Sequence, residues 1–352
     1  VPLMRDIDTK SPAGIVALMS LRGLGPTGAE RLAERFGTLG EVFDAEPRGL
    51  RGIVTAAAAA SLRDADAVAD ALARAARTLD QADRLGVRVL SVHDGDYPAA
   101  LRDLQDRPPI LYAKGDLRAI ERSVACIGTR EPSEFGRKVT AAIVRRLVEA
   151  GWTIVSGLAI GVDELSHATA LRSGGRTVAV MGGGLDGVYP RQNARLADEI
   201  VDGGGALLSE QAFGIPPAPR NLVQRDRLQS GLSVATFVMQ TDVKGGSMHT
   251  VRFTLMQGRL LFAPVPRARH AEEPKSRGIL ALTQVPGRRL SAMVGATGEY
   301  AELLLRRFGE NAVAIPLESG DDYPAMLDAI EGRLSPARPG GEGRATAQIS
   351  MI

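Results

Sequence analysis

The sequence predicts an α/β protein built on a mainly parallel sheet, preceded by a small helical domain. Three observations carry this. From residue 124 to about 266, short apolar runs of strand length alternate with amphipathic helical stretches, the signature of strands buried on both faces. Each run ends in glycine or small polar residues, as tight strand-to-helix turns require. Residues 11–80 instead place apolar residues at helical spacing on both sides of a Gly-rich turn.

In chain order, 11–80 reads as short helices, and the Ala run at 56–60 as helix-prone with no function attached. Residues 81–120 form a mixed entry segment with strands at 87–92 and near 110–112, where Pro98, Pro108 and Pro109 exclude a long helix. Strands follow at 124–127, 152–155, 177–181, 206–208, 233–239 and 260–263. Helices are expected at 136–150, 164–172, 194–202 and 250–257. The domain limits are therefore 1–80, 81–266 and a divergent region at 267–335. In the last, 300–308 and 325–334 look helical and 312–316 looks extended. Residues 336–352, rich in Pro, Gly and polar residues, are expected to be a disordered tail.

Composition excludes several classes. The 352 residues are 44% apolar, enough for a sizeable core, so the chain is not disordered. No apolar stretch approaches the ~18 residues of a spanning helix, and the charged opening residues do not read as a signal peptide. The single cysteine, Cys126, can form no internal disulfide and fits a reducing cytoplasm. It lies inside a strand as an inert core residue, and Trp152 is likewise read as core. The net charge of +2 excludes a polybasic binder but not a local basic patch. Only five of the 43 basic residues are Lys. Arg suits phosphate recognition, but a GC-rich genome raises Ala, Gly and Arg together, and that reading is favoured for the bias as a whole.

In an open parallel sheet, ligands bind beyond the carboxyl ends of the strands. The loops there contain Gly128, Thr129 and Arg130; Ser156 and Gly157, leading to Asp163; Gly182, Gly183 and Gly184; Ser209 and Glu210; and Lys244, Gly245, Gly246 and Ser247, with Thr250 following. Glycine lets backbone N–H groups approach an anion, and helix N-termini favour one. Tight turns need glycine in any case, so the weight lies on several converging at one edge. Between Phe213 and Arg259, six basic residues face two acidic ones, Asp226 and Asp242. Arg130, Arg225 and Arg227 are the candidate anion binders. The competing reading pairs Arg225 with a carboxylate and leaves Arg227 on a solvated face.

No P-loop, H-E-x-x-H or G-x-S-x-G motif occurs, so ATP hydrolysis, zinc hydrolysis and an elbow nucleophile are unsupported, and no metal or cofactor is expected. His167 is read as a structural hydrogen-bonder and Asp163 as the cap of its helix. The turn from Leu21 to Pro26 resembles a helix-hairpin-helix turn, whose backbone N–H groups can meet a phosphate without reading sequence.

Taken in order, these motifs resemble the DNA-processing protein A (DprA/Smf) family across roughly 12–266. The matching stretches are Asp96-Tyr97-Pro98, 109–115, Gly128-Thr129-Arg130, 156–159 with Asp163, and Gly184-Leu185-Asp186 with Tyr189-Pro190. They continue through Leu208-Ser209-Glu210, Arg225-Asp226-Arg227, Gly231-Leu232-Ser233, and Gly245-Gly246-Ser247 with Thr250. The resemblance implies an extended Rossmann-like domain behind a SAM-like helical domain. It further implies a non-enzymatic single-stranded DNA-binding pocket containing Arg130, Arg225 and Arg227 and lined by Ser247 and Thr250. It implies a homodimer, and DNA hand-off to a RecA-type recombinase in transformation or recombination.

Several positions depart from the family pattern. Ile160 stands where the family has Arg, Leu222-Val223 where it has Phe-Pro, and Asp226 where it has Asn. The Pro-Gly after the last strand is missing, and 267–335 does not read as a winged helix. A divergent role such as phage defence therefore stays open. So does a nucleotide sensor on the same scaffold. Hydrolysis ranks lower, because the related phosphoribohydrolases carry a Glu where the stretch from Lys244 to Arg259 has no carboxylate.

Overall fold

The computed structural model describes residues 5–334; the tail expected at 336–352 lies outside them. Six helices come first: α1 (Pro12–Met19), α2 (Pro26–Arg35), α3 (Leu39–Asp44), α4 (Pro47–Leu50), α5 (Ala56–Ser61) and α6 (Ala65–Leu85). Their starts follow local chemistry. Ser11, Thr38, Thr55 and Asp64 accept first-turn backbone N–H groups at α1, α3, α5 and α6. Pro26 opens α2, and Gly86 ends α6 in the left-handed region at φ 63°. The hairpin between α1 and α2 is the Gly-rich turn expected at Leu21–Pro26. Ile15, Leu18, Leu32 and Leu72 share one core with Val87, Ile110 and Tyr112, so this helical layer packs against the first strands of the sheet.

One nine-stranded sheet organises the rest, in the order β1-β2-β6-β5-β4-β3-β7-β8-β9. The strands are β1 (Arg88–Ser91), β2 (Ile110–Gly115), β3 (Ser123–Ile127), β4 (Thr153–Ser156), β5 (Thr177–Val180), β6 (Ala206–Ser209), β7 (Ala235–Val238), β8 (Leu260–Pro264) and β9 (Ile315–Leu317). The pairs β1–β2 and β2–β6 are antiparallel, and every other pairing is parallel. The central strands are wholly buried. That is why they read as continuous apolar runs rather than alternating ones.

Helices cover the sheet: α7 (Ala99–Arg102), α8 (Glu134–Glu149), α9 (Val162–Arg172), α10 (Ala194–Asp202), α11 (Pro219–Leu232) and α12 (Ser247–Met256). From β3 the chain moves through β4 and β5 to β6. It then returns to lay β7 on the other side of β3 and continues outward to β8. The carboxyl ends of β3 and β7 thus flank a topological switch point.

Several local expectations change. The stretch from Arg220 to Gly231, to which the sequence reading assigns no element, is part of α11, a fourteen-residue helix with Arg225 and Arg227 buried in it. Asp163 does not cap α9. Gly161 holds that position, and Asp163 lies buried in the first turn, its carboxylate accepting from the Gly157 N–H at 3.2 Å. His167 is the structural residue expected: it is fully buried and its Nδ1 lies 2.6 Å from Thr177 Oγ1. Burial lowers its pKa to about 3, so the ring is neutral. Trp152 and Cys126 are core residues, and the Arg122 guanidinium lies 4.4 Å from the Trp152 ring centroid.

The sheet does not stop at 266. Helices α13 (Arg277–Gln284), α14 (Gly287–Val294) and α15 (Gly298–Phe308) lead into β9, which pairs with β8, and α16 (Tyr323–Glu331) follows. Leu282, Leu290 and Leu304 share a core with Val238, Val251 and Leu261. Residues 267–334 are therefore built into the sheet's core.

Candidate functional site

An open cavity of about 450 Å³ lies at the switch point. The turn after β3 supplies Gly128, Thr129 and Arg130. Ala159 comes from the turn after β4, Asp163 from the first turn of α9, Arg225 and Asp226 from α11, and Gly245, Gly246, Ser247 and Thr250 from the start of α12. Three separate loops read from the sequence as anion cradles do meet here. At the start of α12 the Met248 and His249 N–H groups close turns on the Gly245 and Gly246 carbonyls, while those of Gly246 and Ser247 make no backbone hydrogen bond among the described residues, and the helix dipole favours negative charge there. Arg130 is exposed at the rim. Among the described residues it makes no ion pair, while its neighbour Glu131 pairs with Lys275 at 3.5 Å.

Arg225 forms the floor. It is 5% exposed; its Nη1 donates to the Val180 carbonyl at 2.6 Å, and its Nε lies 3.0 Å from Asp226 Oδ1. Gly157 makes this possible, because a Cβ at 157 would stand 1.7 Å from Arg225 Nη1. Asp226 pairs with this guanidinium, and the buried Asp163 carboxylate feels its charge. Burial raises Asp163 above the usual carboxylate range, although Arg225 pulls it back. Burial likewise raises Asp226 to about 6, with the Asp163 charge adding to the rise. The Arg225 charge is thus countered by carboxylates at the floor, and the exposed arginine of the cavity is Arg130 at its rim.

Other expected residues lie elsewhere. Ser156 is fully buried, with its hydroxyl donating to the Cys126 carbonyl at 2.6 Å. Gly182, Gly183 and Gly184 line a separate cavity of about 270 Å³ together with Gly157. Leu222 of α11 stands between the two cavities and lines both, and a Cβ on Gly182 would meet its Cδ2 at 2.7 Å. Lys244 points into a third cleft.

Arg227 lines none of these three cavities. Its guanidinium grips the Glu210 carboxylate with two hydrogen bonds of 2.7 Å, donates to the Asp106 carbonyl and pairs with the Asp106 carboxylate at 3.0 Å. It ties α11 to the loop after β6 and to the approach to β2.

Sequence reasoning named Asp163 as a cap and Asp226 as a departure from the family pattern, without placing them around Arg225, and gave no site role to Asp242, His249 and Lys275, which also line the cavity. The available signal was Asp226 between two arginines. Among the described residues no group of His, Cys, Asp and Glu could hold a metal ion, and no helix is long and apolar enough to cross a membrane.

These features define a Rossmann-like α/β protein with a glycine-lined, arginine-bearing cavity at the switch point of its sheet. The chain belongs to the DNA recombination-mediator protein A family, whose sequence model matches residues 88–289. It is 37% identical over 180 residues to the DNA processing protein DprA of Bacillus subtilis, a match covering 51% of this chain and 60% of that protein. With the protein Smf of Synechocystis it shares 34% identity over 253 residues, covering 70% and 63%. The chain thus spans less than two thirds of the length of these relatives.

The crystal structure of DNA processing protein A from Streptococcus pneumoniae superposes with a TM-score of 0.62 at 26% identity. That match covers 90% of this chain and 97% of the other. A structure reporting the single-stranded DNA binding mode of the Helicobacter pylori protein superposes with a TM-score of 0.53 at 26% identity, covering 70% and 96%.

Proposed function

We propose that the protein binds single-stranded DNA, without catalysing a reaction on it, through the cavity at the β3–β7 switch point. The observation that carries this reading is Arg130. It is exposed on the turn after β3 and shares the cavity with the glycine-rich start of α12. A flexible cation beside a cluster of backbone N–H groups suits a phosphate. The Gly246 and Ser247 N–H groups and the Thr129 and Ser247 hydroxyls then serve as donors, while Gly128 and Gly245 let the backbone turn close to the ligand. Arg225 and Thr250 act from below, holding Asp226 and shaping the floor. The Helicobacter pylori relative, described as binding single-stranded DNA, supports the choice of ligand.

A single strand fits better than a duplex, because a concave cavity admits one backbone more readily than two. Family membership supports a place in recombination or transformation. Delivery of DNA to a RecA-type recombinase, and a homodimer, are the finer parts of the proposal; a role in phage defence is the alternative pathway.

A nucleotide sensor is the second reading, since the same donors would hold a mononucleotide phosphate. Competition separates the two. A labelled oligothymidylate should bind and resist displacement by excess mononucleotide. Tight mononucleotide binding with no oligomer binding would establish the sensor instead.

A further inference from the structure

A cleft of about 540 Å³ adjoins the main cavity and shares Gly245 and His249 with it. One wall is the start of α12, with Lys244, His249 and Arg252. The other is the turn from α14 to α15, with Met293, Thr297 and Tyr300. No carboxylate lines it. Lys244, His249 and Arg252 are all exposed, and Met293 is 39% exposed. Tyr300 is 6% exposed, with the Arg252 guanidinium 5.8 Å from its ring centroid. Its buried hydroxyl has no hydrogen-bond partner among the described residues. A basic wall facing an apolar one, with an unmatched donor below, suits a ligand that carries both phosphate and an aromatic ring system. The second wall, Ala292 to Tyr300, lies beyond residues 88–289, where the family's sequence model matches.

We infer that this cleft continues the nucleic-acid path. A single strand seated in the main cavity runs past Gly245 and His249, places phosphates on Lys244 and Arg252, and lays a base against Met293 and the Tyr300 edge. The inference rests on the proposed single-strand binding and extends it to a second subsite, one that lengthens the binding footprint. Lys244, read from the sequence as part of the main cradle, acts here instead. The subsite recognises no particular base, because its contacts are phosphate, thioether and ring edge.

The test compares oligothymidylates of about 4 and about 16 nucleotides, spanning the usual range of single-strand site sizes. Both are titrated at several salt concentrations against the full chain. Variants are Lys244→Ala with Arg252→Ala, and separately Met293→Glu, which places a carboxylate in the cleft without removing the Arg252–Tyr300 contact. Unchanged melting temperatures establish that the variants fold. The short oligomer should bind all proteins alike. For the long oligomer, the double variant should make the slope of log K against log salt shallower by about 1.4, two phosphates at about 0.7 each. Met293→Glu should weaken the long oligomer alone.

Long-oligomer curves that overlay the wild type would overturn the inference and leave the main cavity's role intact. Equal weakening at both lengths would also overturn it, by placing Lys244 and Arg252 in the main cavity. No wild-type binding at either length would instead refute the single-strand reading on which the inference rests.

Discussion

Arg227 and Glu210 face each other as a bidentate ion pair, both hydrogen bonds 2.7 Å long, with side chains only 5% and 8% exposed. Burial on this scale turns an apparent anion-binding arginine into a structural clamp. Removing one partner leaves a buried charge unmatched, at a cost of about 3–5 kcal/mol. Arg227→Ala should therefore lower the melting temperature substantially. At temperatures where the variant stays folded, the salt slope of DNA binding should match the wild type. A shallower slope in a fully folded variant would return Arg227 to the binding surface.

Gly157 and Arg225 make a second relationship that can be tested. Gly157→Ala places a methyl group 1.7 Å from Nη1, so the guanidinium must leave the Val180 carbonyl. Overpacking of this kind costs about 1–3 kcal/mol. The variant should melt lower than the wild type. A crystal structure of it should show Arg225 displaced from Val180. An unmoved Arg225 would contradict the close packing described.

The buried Arg225–Asp226 pair also gives a pH signature. Burial raises folded Asp226 from 3.8 to about 6, so the folded state binds this proton more tightly than the unfolded state. Its stabilising contribution is fully present below about pH 4 and is lost as pH rises through about 6, on the order of 2–3 kcal/mol at most. Asp226→Asn should remove that loss. The melting-temperature difference, variant minus wild type, should grow between about pH 4 and about pH 7. A difference independent of pH would show that Asp226 is not held protonated by its surroundings.

Most of the sheet was legible because strands such as Ser123–Ile127 and Thr177–Val180 are wholly buried and so leave unbroken apolar runs between glycine turns. Helix α11 was not. It buries Arg225, Arg227, Gln229 and Ser230, which erases the apolar stripe that marks a helix in sequence. The arginines look like surface residues until the carbonyls of Val180 and Asp106 and the carboxylate of Glu210 are placed around them. The strand Ile315–Leu317 was half visible. Its extended character could be read from its residues, but its place beside β8 depends on contacts distant in sequence. In the site, glycine turns located the edge of the sheet correctly. Which turns share a cavity depended on Leu222, whose side chain separates the Gly182–Gly184 turn from the rest.

The most direct test of the account is the salt dependence of oligothymidylate binding by wild type and Arg130→Ala. Arg130 is exposed at the cavity rim, so its removal should leave the unfolding free energy within about 0.5 kcal/mol of the wild type. The account predicts salt-dependent wild-type binding. It also predicts a slope shallower by about 0.7 for the variant, with all oligomer sequences weakened alike. Wild-type binding that ignores salt, or an Arg130→Ala curve that overlays the wild type, would contradict it.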